Sequence, residues 1–227
     1  MQSIMCNSIL FLSGAETLRS DGGKNFIFDL DGTLIDSYGV ILSSVSELLQ
    51  REGIVFEREV LKKTILRSSL GALFEELASG YGLSLSYLNA EYRRVSAERQ
   101  TEICQMPNAL ETLRGLYGKN RLFVYTHRGV TTRPVLKRLG MDGFFEEVVT
   151  SENGFPRKPS PDALDYLIGK HALDREKTYY VGDRTLDAEC ASGASVKSVL
   201  YLPKDSVVLP SGKENYVVSD LKELLFL

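Results

Sequence analysis

Asn25-Phe26-Ile27-Phe28-Asp29-Leu30-Asp31-Gly32-Thr33 is the stretch that decides the reading of this 227-residue chain. Phe26 to Phe28 is a short run of β-formers of the kind found in a strand covered on both faces. The run stops on two carboxylates one residue apart, followed by a glycine. In an open parallel sheet, that carboxyl end of a strand is where ligands bind. Two acids there do what one cannot. One binds a hard cation or attacks an electrophile while the other takes and returns a proton. Alone, Asp-Gly also marks an ordinary polar turn, so the other strand ends must decide.

Beyond Ser37 the pattern becomes helical. Val40, Ile41, Val45, Leu48 and Leu49 recur at one-turn spacings, with Glu52-Gly53 as a stop. Phe56 to Leu66 and Leu70 to Leu77 read as further helices closed by Gly80-Tyr81-Gly82. Leu85 to Gln105 reads as one long helix, ended by Met106-Pro107. The next convincing strand is Arg121 to Tyr125. A parallel crossover needs only about a dozen residues, so most of the intervening chain is surplus, and its position after Asp29 and Asp31 suggests a helical lid. From Asn108 onward helices and strands alternate: Ala109 to Leu116, Leu122 to Tyr125, Thr132 to Leu139, Glu147 to Thr150, Pro161 to Lys170, Thr178 to Val181, Leu186 to Ser192 and Ser198 to Leu202. A weak strand at Tyr216 to Val218 and a short helix at Leu221 to Leu225 close the chain. This is the α/β pattern of a parallel, doubly wound sheet. The expected organisation is a peripheral extension over 1–24, a core made of 25–36 and 107–227, and an inserted helical cap over 37–106.

Composition narrows the function classes. Lys+Arg of 27 against Asp+Glu of 30 gives a net charge of −3, which offers no electrostatic case for nucleic acid or a membrane surface. No apolar stretch approaches the roughly 20 residues of a membrane helix. Cys6, Cys104 and Cys190 lie far apart without CxxC spacing, which fits packing thiols in a reducing cytoplasm. Two histidines, His127 and His171, are too few for a multi-histidine metal site.

The remaining strand ends carry chemistry. Leu122 to Tyr125 exits on Thr126-His127-Arg128. The Thr126 hydroxyl there either donates to an anionic oxygen or caps the following turn. His127 and Arg128 face substrate or solvent, and a general-base role for His127 is one option. Pro156-Arg157-Lys158-Pro159-Ser160-Pro161 fixes the direction of one amine, so Lys158 is expected to sit beside the carboxylates and neutralise a phosphoryl oxygen. Thr178 to Val181 ends on Gly182-Asp183, with Asp187 about a helical turn further on. Four acids converging on one edge repel strongly unless a hard, oxygen-seeking cation such as Mg²⁺ joins them.

In this order and spacing, Asp29-Leu30-Asp31-Gly32-Thr33, Thr126, Lys158 and Gly182-Asp183 with Asp187 resemble the haloacid dehalogenase superfamily. The resemblance spans about 25–202, and the helical insertion is similar to the small cap of its phosphoglycolate phosphatase and β-phosphoglucomutase-like branch. It implies a Rossmann-like core, Mg²⁺ and an aspartyl-phosphate intermediate. By position Asp29 would be the nucleophile. Asp31 would be the acid and base, with its carbonyl on Mg²⁺. Thr126 and Lys158 would hold the phosphoryl group, and Asp183 would ligate Mg²⁺ with Asp187 supporting it. Enzymes that displace halide lack an acid at the Asp31 position, so Asp31 points to phosphate esters. Thr126 is followed by His127-Arg128, not the asparagine common in phosphoglycolate phosphatases, which leaves the substrate open. Gly32, Thr33, His127 and Arg128 are expected to line the substrate space, with Arg67 and Gly71 entering it from a junction in the cap.

The expected protein is thus a cytoplasmic, Mg²⁺-dependent phosphatase of a small phosphorylated metabolite, without nucleic-acid or membrane partners, and a monomer or weak homodimer. A phosphomutase of the β-phosphoglucomutase type and a non-catalytic phosphometabolite-binding relative are the alternatives.

Overall fold

The computed structural model describes residues 23–67, 70–204 and 206–227, excluding the Arg67 side chain. The expected N-terminal extension therefore lies almost wholly outside the described residues. Six strands form one sheet: β1 (Asn25–Phe28), β4 (Arg121–Tyr125), β5 (Glu147–Val149), β6 (Thr178–Gly182), β7 (Lys197–Tyr201) and β8 (Tyr216–Val218). Their order is β5-β4-β1-β6-β7-β8, and every pairing is parallel. β1 lies at the centre, with Phe28 beside Val124 on one side and Val181 on the other. The chain builds outward from β1 in one direction and then crosses to build in the other, so the carboxyl ends of β1, β4 and β6 border one crevice.

Both faces of the sheet are covered, which explains the unbroken hydrophobic runs. Phe26, Phe28, Leu122, Val124, Tyr179 and Val181 pack with α5 (Ala109–Leu116), α6 (Thr132–Arg138) and the C-terminal segment. Ile27, Phe123, Tyr125, Val149 and Tyr180 point the other way, against α7 (Asp162–His171) and α8 (Thr185–Gly193). The period of two along each strand sorts one residue to each core. On α8 the small Ala191 sits with Cys190 in the second core, as does Ala194 just past the helix end, and the Cys190 thiol donates to the Ser160 carbonyl.

The surplus chain forms a separate helical layer: α1 (Tyr38–Arg51), α2 (Arg58–Arg67), α3 (Leu70–Tyr81) and α4 (Leu85–Ala97). Its own core holds Val45, Leu48, Leu61, Ile65, Leu73, Phe74, Leu77 and Leu88. The long helix expected over 85–105 ends at Ala97. A 3₁₀ turn at Gln100–Glu102 follows, then β3 (Cys104–Gln105), which pairs antiparallel with β2 (Ile35–Asp36). Met106 N–H extends this ribbon by donating to the Leu34 carbonyl at 2.9 Å. Extended backbone is what a residue before Pro107 favours, and the ladder with β2 supplies partners a helix would have withheld. The insertion thus leaves and returns on a two-stranded stalk that straddles the boundaries expected near 36 and 106. The C-terminal segment Leu221–Phe226 is also 3₁₀ and not α-helical. No helix among the described residues is long and apolar enough to cross a membrane.

Candidate active site

After β1 the backbone folds into a tight loop. The Leu30 carbonyl accepts from the amides of Thr33, Leu34 and Ile35 at 3.0–3.2 Å, and Gly32 N–H donates back to Ile35. Gly32 has φ +85°, and a Cβ there would overlap Asp183 and the Tyr38 ring. The loop therefore demands glycine twice, for conformation and for space. Asp29 sits at its start, pinned by its N–H to the Val181 carbonyl at 2.8 Å.

The floor of the site is buried and paired. Lys158 Nζ donates to Asp29 Oδ1 at 2.5 Å and Asp187 Oδ1 at 2.8 Å, and its side chain has no solvent exposure. The ammonium lies over the rings of Tyr125 and Tyr180, 5.1 and 5.2 Å from their centroids, a favourable place for a desolvated cation. Burial alone would discharge Lys158, but Asp187 and Asp29 hold its pKa above the ordinary lysine value. Burial raises Asp29 to about 6 against the pull of Lys158. Burial also raises Asp183, to about 7; Arg184 offsets part of this, and Asp29 and Asp187 add repulsion. Asp187 resists its burial because Lys158 and Arg184 stabilise the anion, and it titrates below the usual range.

Carboxylates of Asp29, Asp183 and Asp187 each offer an oxygen within 4.8 Å of the others. Asp29 Oδ2 and Asp183 Oδ1 are buried without a hydrogen-bond partner, a costly state for an anionic oxygen. Two orphaned carboxylate oxygens in one all-oxygen, buried cluster suit a hard divalent cation such as Mg²⁺. Asp187 differs. Its Oδ1 accepts from Lys158 and, at 3.3 Å, from the Tyr180 hydroxyl, while its Oδ2 accepts from Arg184 N–H at 3.1 Å. With both oxygens engaged, it orients Lys158 and the Asp183 loop.

Asp31 stands apart at the rim. Arg128 grips it through Nη2 at 2.7 Å and Nε at 3.1 and 3.3 Å, and reaches Gln100 Oε1 at 2.6 Å and Thr131 Oγ1 at 3.1 Å with Nη1. Asp31 is partly buried, which would raise its pKa, but Arg128 reverses the shift and holds the carboxylate ionised. Arg128, expected to face substrate or solvent, therefore ties the acid to the returning end of the insertion.

The other expected residues fall out unevenly. Thr126 is buried, and its Oγ1 accepts the Arg128 amide at 3.1 Å, so it caps the turn and keeps its hydroxyl proton to donate. Thr33 is buried with an unpartnered hydroxyl. His127 does not act as a free base. Its Nε2 accepts the Lys158 amide at 3.0 Å and lies 3.2 Å from the Tyr125 hydroxyl. Burial, with Lys158 nearby, depresses its pKa to about 3. This neutral ring steadies the lysine loop. Gly71, the second residue of α3, lies against the Arg157 guanidinium, so the insertion meets the core next to Lys158. The side chain of Arg67, with Ser68 and Ser69, lies outside the described residues.

Three residues that sequence reading did not single out also reach the site. The Tyr38 hydroxyl donates to Asp183 Oδ2 at 2.7 Å. Gln100 receives Arg128. Arg184, whose charge bears on Asp183, Asp187 and Asp29, has a buried Nε with no partner. Only Arg184 had a visible signal, as the residue following Gly182-Asp183.

The family model for haloacid dehalogenase-like hydrolases matches residues 26–201. A phosphoglycolate phosphatase of Pasteurella multocida is 26% identical over 212 residues, covering 87% of this chain and 95% of that protein. The pyrophosphatase PpaX of Oceanobacillus iheyensis is 25% identical over 209 residues, covering 89% and 95%. Among solved structures, a predicted phosphoglycolate phosphatase from Haemophilus somnus superposes with a TM-score of 0.79 at 23% identity, covering 90% of this chain and 97% of that one; it speaks for the fold alone.

Proposed function

This chain belongs to the haloacid dehalogenase-like hydrolases, and from that membership we propose that it is a Mg²⁺-dependent phosphatase acting on a small phosphorylated metabolite. The observation that carries the reading is Asp29 itself. One of its oxygens is bonded to a buried lysine, and the other is buried without a partner. A carboxylate so held is poised for in-line attack on phosphorus, and phosphoryl transfer depends mostly on such positioning and on charge neutralisation.

In the first step Asp29 attacks phosphorus, the ester P–O bond breaks, and its electron pair leaves on the alcohol oxygen, which takes a proton from Asp31. In the second, water attacks the aspartyl phosphate, gives its proton to Asp31, and the bond from phosphorus to Asp29 breaks. Asp31 must be protonated for the first step, yet Arg128 holds it ionised here. On this reading, therefore, the pair must open when substrate enters. Lys158 and the Thr126 hydroxyl steady the transferring oxygens, and the Arg184 Nε, buried without a partner, is a donor available to an anionic ligand. Asp29 and Asp183 would hold Mg²⁺, with the Asp31 carbonyl and the support of Asp187, and the ion would neutralise phosphoryl oxygens. The free thiols of Cys104 and Cys190 suit a cytoplasmic setting. The names of the relatives, phosphoglycolate phosphatase and pyrophosphatase, favour a small phosphorylated substrate.

The test is phosphate release from a panel of phosphorylated metabolites in Mg²⁺. The expected result is turnover abolished by EDTA and by Asp29→Asn, which keeps shape and removes the nucleophile. Folded protein that releases no phosphate from any member, or an Asp29→Asn variant that turns over normally, would overturn the reading.

A further inference from the structure

The acid cluster contains a regularity that the family assignment does not supply. Asp29 and Asp183 each have one oxygen pinned by a donor and one left buried without a partner. For Asp29 the donor is Lys158, a core residue. For Asp183 it is the hydroxyl of Tyr38, the first residue of α1 and so part of the helical insertion, 145 residues away in sequence. We propose that Tyr38 is a positioning residue for the metal ligand Asp183, so that the insertion completes the Mg²⁺ site of the core.

The physical basis is preorganisation. A carboxylate free to rotate presents either oxygen or both, and it must be ordered when the ion arrives. The Tyr38 hydroxyl takes Oδ2 at 2.7 Å and leaves Oδ1 as the free ligand atom. Gly32 makes the arrangement possible, because a side chain there would overlap both the Tyr38 ring and the Asp183 carboxylate. The first-strand loop, the root of the insertion and the end of β6 therefore meet at one hydrogen bond. Removing the hydroxyl would leave both Asp183 oxygens unpartnered. Partners of metal-ligating carboxylates typically contribute about 10–100-fold to metal affinity.

This proposal rests on the Mg²⁺ reading above, and one experiment separates the two. Mg²⁺ binding to the metal-free full-length protein is measured by calorimetry for wild type, Tyr38→Phe and Tyr38→Ala, with far-UV circular dichroism to establish that each is folded. Tyr38→Phe keeps the ring over Gly32 and removes only the donor. The expected result is a Kd for Mg²⁺ raised about 10-fold or more in Tyr38→Phe. A Kd within twofold of wild type would overturn the proposal. So would a loss confined to Tyr38→Ala, since that would assign the effect to ring packing and not to the hydroxyl. A wild-type protein that binds no Mg²⁺ would remove the metal reading itself.

Discussion

The floor and the rim of this site hold similar groups, an aspartate and a cation, in opposite ways. On the floor, Asp29 and Lys158 have side-chain exposures of 4% and 0%, and they bond to each other and to Asp187, all core residues, while Tyr38 of the insertion bonds to Asp183 beside them. At the rim, Asp31 is 23% exposed, and its partner Arg128 is shared with Gln100 of the insertion. Burial wins at Asp29 and raises it to about 6. The ion pair wins at the rim and lowers Asp31. The same side chain, two residues along, is thus desolvated and raised in pKa in one place, and partly exposed and held ionised by a guanidinium in the other. The difference lies in how much water each keeps and in how far the neighbouring cation offsets burial.

The strongest way to break the floor is Lys158→Ala, which strands Asp29 and Asp187 in a buried site. Stripping one partner from a buried pair costs about 3–5 kcal/mol, so urea denaturation in EDTA should register a loss of that order, and Mg²⁺ should recover part of it. An intact stability in EDTA would mean that the floor is wetter than its exposures imply.

A second experiment uses pH. Asp29 and Asp183 have folded values of about 6 and about 7 against 3.8 for the ordinary carboxyl. Between about pH 4 and 7 the folded state therefore holds protons the unfolded state has lost, and these two groups reduce stability as pH rises through that window. On the proposed metal reading, Mg²⁺ competes with those protons. Its effect on Tm should be larger at pH 8 than at pH 5.5, and an equal or reversed effect would separate the ion from these carboxylates.

Arg128→Gln tests the rim and should matter least to the fold. Loss of a partly exposed charged pair should cost about 1–2 kcal/mol, well below the Lys158 variant. Without the guanidinium the pKa of Asp31 rises, so any limb of the pH–rate profile governed by Asp31 should move to higher pH. A limb that stays in place would free Asp31 of that role.

The floor was largely legible in the sequence because its residues sit at strand ends or between prolines. Asp29, Lys158 and Asp183 advertise themselves by local context, and the alternating helices and strands fix which ends share an edge. The contacts that reach the site from the insertion were not legible, because they join residues with no local signature. Tyr38 follows Ser37 at the opening of a helix like any surface aromatic, and Gln100 lay inside what read as a continuing helix. A two-residue strand such as Cys104–Gln105 leaves no periodicity to detect; only its pairing with Ile35–Asp36 defines it. His127 misled for a related reason. An imidazole beside a strand end suggests proton transfer, whereas its ring nitrogen is occupied by the Lys158 amide.

The two-stranded stalk has a consequence for grafting. Because Ile35 lies beside Gln105 and Asp36 beside Cys104, the chain departs and comes back at a single point, and a replacement of different length would change loop-closure entropy by only about 0.6 kcal/mol per doubling. The sheet register would be untouched. The splice site nevertheless matters: a foreign lid joined before Tyr38 would remove the hydroxyl on Asp183, whereas one joined after it would inherit that bond. Chimaeras of this protein should therefore carry residues through 38 with the host.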